Sequence, residues 1–175
     1  MKKVLVSTSL SCLIVASSFA SEYRYNFSVS PLGFLIGNVN AKVEAYKIRK
    51  GFVPAVEGSY WSFSSGGADY SAWTLGLSGR FYKDKVSFSG WFGQLGVEMG
   101  RVSVDTDLYG SGSSTVFGLY GIGGYRWSFG SEGKFTVDVG IGAGYYRGSV
   151  EVNGETFDAF QGILPKGLLA IGVNF

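Results

Sequence analysis

Eight charged side chains stand out, because each falls on one face of a segment whose other face is apolar: Arg24, Lys42, Glu44, Glu57, Arg80, Glu98, Arg126 and Asp138. Four are cationic and four anionic. Gathered in one place they would neutralise one another, so this pattern predicts a structural network of interior ion pairs. Histidine is absent from the 175 residues and Cys12 is the single cysteine. That removes Ser–His–Asp triads, imidazole general bases and the usual zinc sites. No serine has a recognisable basic partner. The glycine runs at 121–124 and 140–144 lie inside alternating segments with no following helix, so they do not read as phosphate cradles. The sequence predicts no catalytic residue, no cofactor and no metal site.

The elements that position these charges show a period of two. Phe135, Val137, Val139, Ile141, Ala143 and Tyr145 share one face, against Thr136, Asp138, Gly140, Gly142, Gly144 and Tyr146. Trp73, Leu75, Leu77 and Phe81 oppose Thr74, Gly76, Ser78 and Arg80, and Gly167, Leu169, Ile171, Val173 and Phe175 oppose Lys166 through Asn174. Glycine reaches 28 residues, aromatics 17% and proline only three, a composition for many strands and few helices. Eight strands are predicted, at about 22–30, 34–48, 52–63, 72–83, 86–103, 114–128, 134–150 and 159–175. If 22–48 is one bent strand, the count falls to seven.

Residues 1–20 read as a cleaved signal peptide: Lys2 and Lys3, an apolar run from Val4 to Val15, and a small-x-small site at Ser18-Phe19-Ala20. Residues 21–175 then form a single domain without cysteine. Its 13 basic residues balance 13 acidic ones, so nothing calls for a nucleic-acid partner. Tight turns are expected at Ile48–Gly51, Lys83–Lys85 and Gly130–Gly133, and longer polar loops at Ser64–Ser71, Asp105–Ser113 and Glu151–Asp158. Asn153-Gly154 has type I′ turn character. Pairing outward from it sets Tyr145 opposite Gly162 and requires one slip in parity between 162 and 167, where Pro165 predicts a bulge.

Charged side chains on the small and polar face argue that this face is the inside. Facing lipid, each Lys or Arg near the midplane costs about 2–4 kcal/mol. The predicted fold is an all-β, closed antiparallel up-and-down barrel of about eight strands in the bacterial outer membrane, with short turns in the periplasm. Trp61, Trp73, Trp127, Phe129, Phe135 and Phe175 suit interfacial girdles. The C-terminal Phe175 has the form of an assembly signal read by the barrel-assembly machinery.

Pro31-Leu32-Gly33-Phe34-Leu35-Ile36-Gly37-Asn38-Val39-Asn40 resembles the Asn-Pro-Leu-Gly opening of an uncharacterised family of small bacterial outer-membrane barrels, with Ser30 in place of the Asn. Gly124–Trp127, Asp138–Tyr145 and Leu164 through Phe175 are similar to its later blocks. In size the chain also resembles OmpX and the OmpA barrel domain. The resemblance implies the architecture and transfers no activity. The missing histidine separates the chain from the lipid-modifying and proteolytic barrel enzymes.

The function expected is a non-enzymatic outer-membrane barrel with a structural or surface-interaction role and no open pore, in contact with outer-membrane lipids and lipopolysaccharide. One alternative is a barrel that binds or passes a small apolar ligand, with a pocket lined by Tyr46, Tyr82 and Tyr120 and space left by Gly76, Gly96, Gly140, Gly142 and Gly144. Others are a soluble periplasmic lipid-binding barrel and a lipid-modifying enzyme. Asp69, Asp105, Asp107, Glu151, Glu155 and Asp158 collect in the outer connections, as solvated loops or as weak cation ligands. The sequence sets no oligomeric state.

Overall fold

Alternating apolar and small residues suit extended backbone, because successive side chains point to opposite faces of a sheet. The computed structural model describes residues 23–31, 37–47, 51–65, 67–83, 89–106, 110–152 and 155–175. The strands are β1 (Tyr23–Val29), β2 (Asn38–Lys47), β3 (Phe52–Ser65), β4 (Ala68–Tyr82), β5 (Gly90–Thr106), β6 (Gly110–Phe129), β7 (Phe135–Val152) and β8 (Glu155–Asn174). Each pairs antiparallel with its neighbour in sequence, and β1 pairs with β8 to close the barrel. Residues 22–48 therefore contribute two strands, with Val29 opposite Ala41. The expected signal peptide, Leu32–Ile36 of the opening motif, Asp107 and Asn153-Gly154 lie outside the described residues.

The polar stretches expected as long loops continue the ladder instead. Ser64 pairs with Asp69, Asp105 with Ser111, and Val152 with Glu155. Polarity marks contact with water, and strand pairing tolerates it. Three of the connections at this hairpin end shrink to residues 66–67, 107–109 and 153–154, whereas the first, expected at 31–33, lengthens to 30–37. Tyr23, where β1 begins, and Phe175 lie at the opposite, terminal end. There Ser131–Gly133 form a short 3-10 turn preceded by Gly130 (φ 80°) and ending on Gly133 (φ 67°), a left-handed backbone that glycine adopts without strain.

The parity slip exists, but at another place. Ser149 pairs with Asp158 and Gly148 with Phe160, so Ala159 is the extra residue. From Phe160 to Val173 the register is unbroken, with Tyr145 opposite Ile163 and Pro165 opposite Ala143. Pro165 needs no bulge, for a geometric reason. Phe175 N donates to Tyr25 O of β1, so odd-numbered amide positions of β8 point toward β1. The β1–β8 ladder stops at the Val29–Ile171 pair. Position 165 lies beyond it, where no described strand asks for an N–H.

Around the middle of the barrel the outward face is apolar. Ile141, Ile163 and Leu95 are 77%, 75% and 65% exposed, more than a folded interior or a wetted surface accounts for. On β6 this belt runs from Phe117 to Trp127, ten residue steps. That is about 33 Å along the strand, or about 25 Å along the axis of a barrel whose strands tilt by about 40°. Above the belt, toward the hairpin end, the polarity reverses. Ser62, Ser64, Asp69, Ser71 and Asp105 point outward, while Trp61, Phe63, Tyr70, Val102 and Val104 take the inward face. Trp61 is thus no girdle residue. It stacks on Phe63 (ring centroids 5.4 Å), which stacks on Tyr70 (4.8 Å). Trp73, Trp127, Phe129, Phe135 and Phe175 do face outward.

Candidate functional site

The barrel interior holds two unlike groups of polar side chains. The first lies in the terminal half and is fully buried. Asp138 on β7 and Arg126 on β6 are directly opposite, and Arg126 Nε and Nη2 donate to the two Asp138 carboxylate oxygens at 2.5 and 2.6 Å. Arg126 Nη2 also reaches Glu44 Oε2. Arg80 Nη1 lies 2.6 Å from Asp138 Oδ2 and 3.0 Å from Glu44 Oε1, so two guanidiniums and two carboxylates interlock. Lys42 Nζ adds a contact to Glu44 at 3.1 Å.

Further side chains hold the Arg80 guanidinium in place. Arg80 Nε and Nη2 both donate to Gln94 Oε1, and the Gln94 amide donates to Ser78 Oγ and Tyr120 Oη. The Arg80 guanidinium carbon stands 3.9 Å from the centre of the Phe92 ring. Val53, Tyr82, Phe92, Tyr120 and Ile122 form a small apolar core against it. Such dense pairing fits the physics of interior charge, which is tolerable only when nearly every ion is matched. Nearer the termini, Asn26 Nδ2 donates to Thr136 Oγ1 and Asn174 Oδ1.

The second group stands toward the hairpin end, on a continuous inward row: Lys42, Glu57, Gly76, Glu98, Gly118, Tyr146. The two glycines make the row possible. A Cβ on Gly76 would sit 3.1 Å from Glu57 Cγ and 3.3 Å from Glu98 Cβ, and one on Gly118 would collide with the Tyr146 ring. Lys166 Nζ bridges both Glu98 oxygens at 2.7 Å, Tyr146 Oη donates to Glu98 Oε1 at 2.6 Å, and the ammonium lies 3.8 Å from the centre of the Tyr120 ring. Beside this group is a cavity of about 270 Å³, bordered by Ser28, Asn38, Lys42, Glu57, Glu98 and Lys166 among others. Ser28 and Lys42 are buried at its base, and Asn38, Asn40 and Ser59 are half-buried at its upper side.

Seven of the eight charges singled out from the sequence occupy the interior. Lys42, Glu44, Arg80, Arg126 and Asp138 are brought together in the buried cluster, with Glu57 and Glu98 above it. Arg24 is exposed at the terminal end and does not join them. Its alternation was right, but it lies too near the strand's beginning to be covered. Lys166 is the fourth interior cation in its place. Its signal was present, since it falls on the inward face of β8. The glycines expected to leave room for an apolar guest are filled from within: the Tyr120 ring takes the space beside Gly96, and the Tyr146 ring that beside Gly144. Tyr82 and Tyr120 belong to the packed core, and the side chain of Tyr46 lies outside the described residues. Asp69 and Asp105 are exposed and directly opposite on β4 and β5, and no group of three or more metal-ligating side chains occurs among the described residues.

Among solved structures, the chain is similar to Neisserial surface protein A, whose crystal structure it matches with a TM-score of 0.45 at 16% identity, over 87% of this chain and 94% of that one. No protein-family model matches the chain, and no curated protein matches it. The fold itself rests on the closed eight-strand ladder described above.

At the β1–β8 seam, Tyr25 and Phe175 exchange backbone hydrogen bonds at 3.0 and 2.9 Å, and their rings stack at 6.0 Å. Phe175 is more than half exposed on the outward face. Phe175 and Tyr25 therefore extend the β1–β8 closure by one pair.

Proposed function

We propose that this protein spans the bacterial outer membrane as a plugged, non-enzymatic barrel that presents its hairpin-end sheet at the cell surface. The observation that carries this reading is the inside-out polarity, with Leu95, Ile141 and Ile163 bare to the outside while Arg80, Arg126, Glu44 and Asp138 are wholly covered. Aqueous solvent would favour the reverse arrangement, and acyl chains favour this one. A soluble lipid carrier needs an apolar lumen, whereas the cavity here is bordered by Glu57, Glu98, Lys42 and Lys166.

Several features support the orientation and partners. Arg101 and Arg147 point outward and are exposed just beyond the upper edge of the belt, where lipopolysaccharide phosphates would lie. A signal peptide over residues 1–20 would deliver the chain to the periplasm, and Phe175 at the seam would serve as the signal read by the barrel-assembly machinery. The interlocked cluster of Glu44, Arg80, Arg126 and Asp138 obstructs the lumen, so an ion would have to displace matched charges to pass.

Expression in a Gram-negative host, separation of its membranes by density and electrophoresis with and without boiling test this reading together. The mature chain is expected to begin at Ser21, to need detergent for release, to run faster before boiling, and to give no steady conductance in planar bilayers. Release by carbonate without detergent, or stable open-channel currents, would overturn it.

A further inference from the structure

We propose that the cavity in the hairpin half of the barrel binds a small organic ammonium ion, held by Glu57 and covered by the aromatic face of Trp61, Phe63 and Tyr70. Glu57 is the one interior carboxylate among the described residues left without a partner. Its Oε1 is buried and accepts no hydrogen bond, whereas Glu44, Glu98 and Asp138 are each matched by arginine or lysine. Two cations border the same cavity, yet both are turned elsewhere. Lys166 grips both oxygens of Glu98, and Lys42, although opposite Glu57 on the neighbouring strand, directs its ammonium to Glu44. Leaving a buried acceptor unmatched is costly, and more so when it is charged.

Three other atoms bordering the cavity lack a hydrogen bond; one, Lys42 Nζ, is already ion-paired with Glu44 at 3.1 Å, and the remaining two favour a cationic guest. Asn38 Oδ1 and Ser28 Oγ are buried and have no hydrogen-bond partner, and both can accept from a donor-rich head group. An anion would meet Glu57 and Glu98 and find no cation free of a carboxylate. Just outside the residues that border the cavity, one inward step beyond Ser59 on β3 and opposite Asn38, Trp61 begins the stacked trio, with Phe63 half exposed. Stacked aromatic faces attract ammonium ions and cover apolar bodies. The volume, about 270 Å³, sits just below the range of drug-sized pockets, about 300–1,000 Å³. A guest with a primary ammonium and a single ring matches both the size and the order of the groups, charge inward and ring at the mouth.

The test is calorimetric titration of the full chain in dodecylmaltoside micelles, against empty micelles, with three probes of matched shape: 2-phenylethylammonium, 2-phenylethanol and phenylacetate. The ammonium should bind saturably, the alcohol should bind at least about tenfold more weakly, and phenylacetate should not bind. Glu57→Gln should reduce ammonium affinity by about tenfold or more, and Trp61→Ala by a smaller factor. Asp69→Asn, on the outward face, should change nothing. Unboiled gel mobility confirms that each variant is folded, and Trp61→Ala keeps the proposal open to refutation if Glu57→Gln is not. No saturable heat above empty micelles would mean that the cavity holds water only, and would overturn the proposal. So would equal affinity for phenylacetate, or full affinity in folded Glu57→Gln.

Discussion

The two halves of the lumen are built from the same kinds of residue and reach opposite ends. In the terminal half, Arg80 and Arg126 face Glu44 and Asp138, and each of the two carboxylates is held by both guanidiniums. In the hairpin half, Lys166 and Tyr146 satisfy Glu98, while Glu57 is left over beside open volume. Interior charge near saturation makes a rigid plug. Charge left one partner short makes a vacancy with a preferred sign.

Three substitutions can break or sharpen this contrast. The largest effect is expected from Arg126→Ala, which strips Asp138 and Glu44 of a shared buried partner. Removing one member of such a cluster costs about 3–5 kcal/mol, read as a lowered urea midpoint in detergent. A loss below about 1 kcal/mol would show that the plug is not what holds the lumen together. Lys166→Ala should cost less, about 1 kcal/mol, because its ammonium and Glu98 keep some contact with water at 24% and 12% exposure. A penalty as large as that of Arg126→Ala would erase the difference between the halves. Glu57→Gln removes a charge that has no partner to lose. Its urea midpoint should stay level or rise, because an unmatched buried charge is itself a cost, and a large destabilisation would reveal a matched Glu57.

Much of this architecture was legible in the sequence. Period-two alternation assigned the faces of β4, β7 and β8 correctly, because in a barrel wall every side chain has only two directions. The same rule marked Lys42, Glu44, Glu57, Arg80, Glu98, Arg126 and Asp138 as interior. It failed where depth matters. Arg24 and Lys166 both obey the alternation, and only the barrel's closure decides that one is uncovered and the other enclosed. Trp61 misled for a related reason. Beyond the belt the outward face is served by Ser62 and Ser64, so an aromatic there turns inward to its neighbours. Hairpins rich in Ser and Asp read as loops, since composition reports solvent and is blind to backbone pairing. The extra residue in β8 was required by parity, yet parity cannot locate it. Proline drew the expectation to position 165, where the ladder toward β1 had already ended. The vacancy at Glu57 was not legible at all, because it depends on where the Lys42 and Lys166 ammonium groups point.

The narrow seam has a kinetic consequence. Seven of the eight pairings join strands that follow one another directly, and such hairpins can form early at little entropic cost. The eighth joins Asn26–Val29 to Ile171–Asn174, nearly the full length of the chain apart, through four residue pairs and the Tyr25–Phe175 clasp. Ring closure is thus the step with the fewest contacts and the longest search. Until it is completed, the chain is a curved ribbon with two bare borders, and its first and last strands are where another polypeptide could most readily take hold.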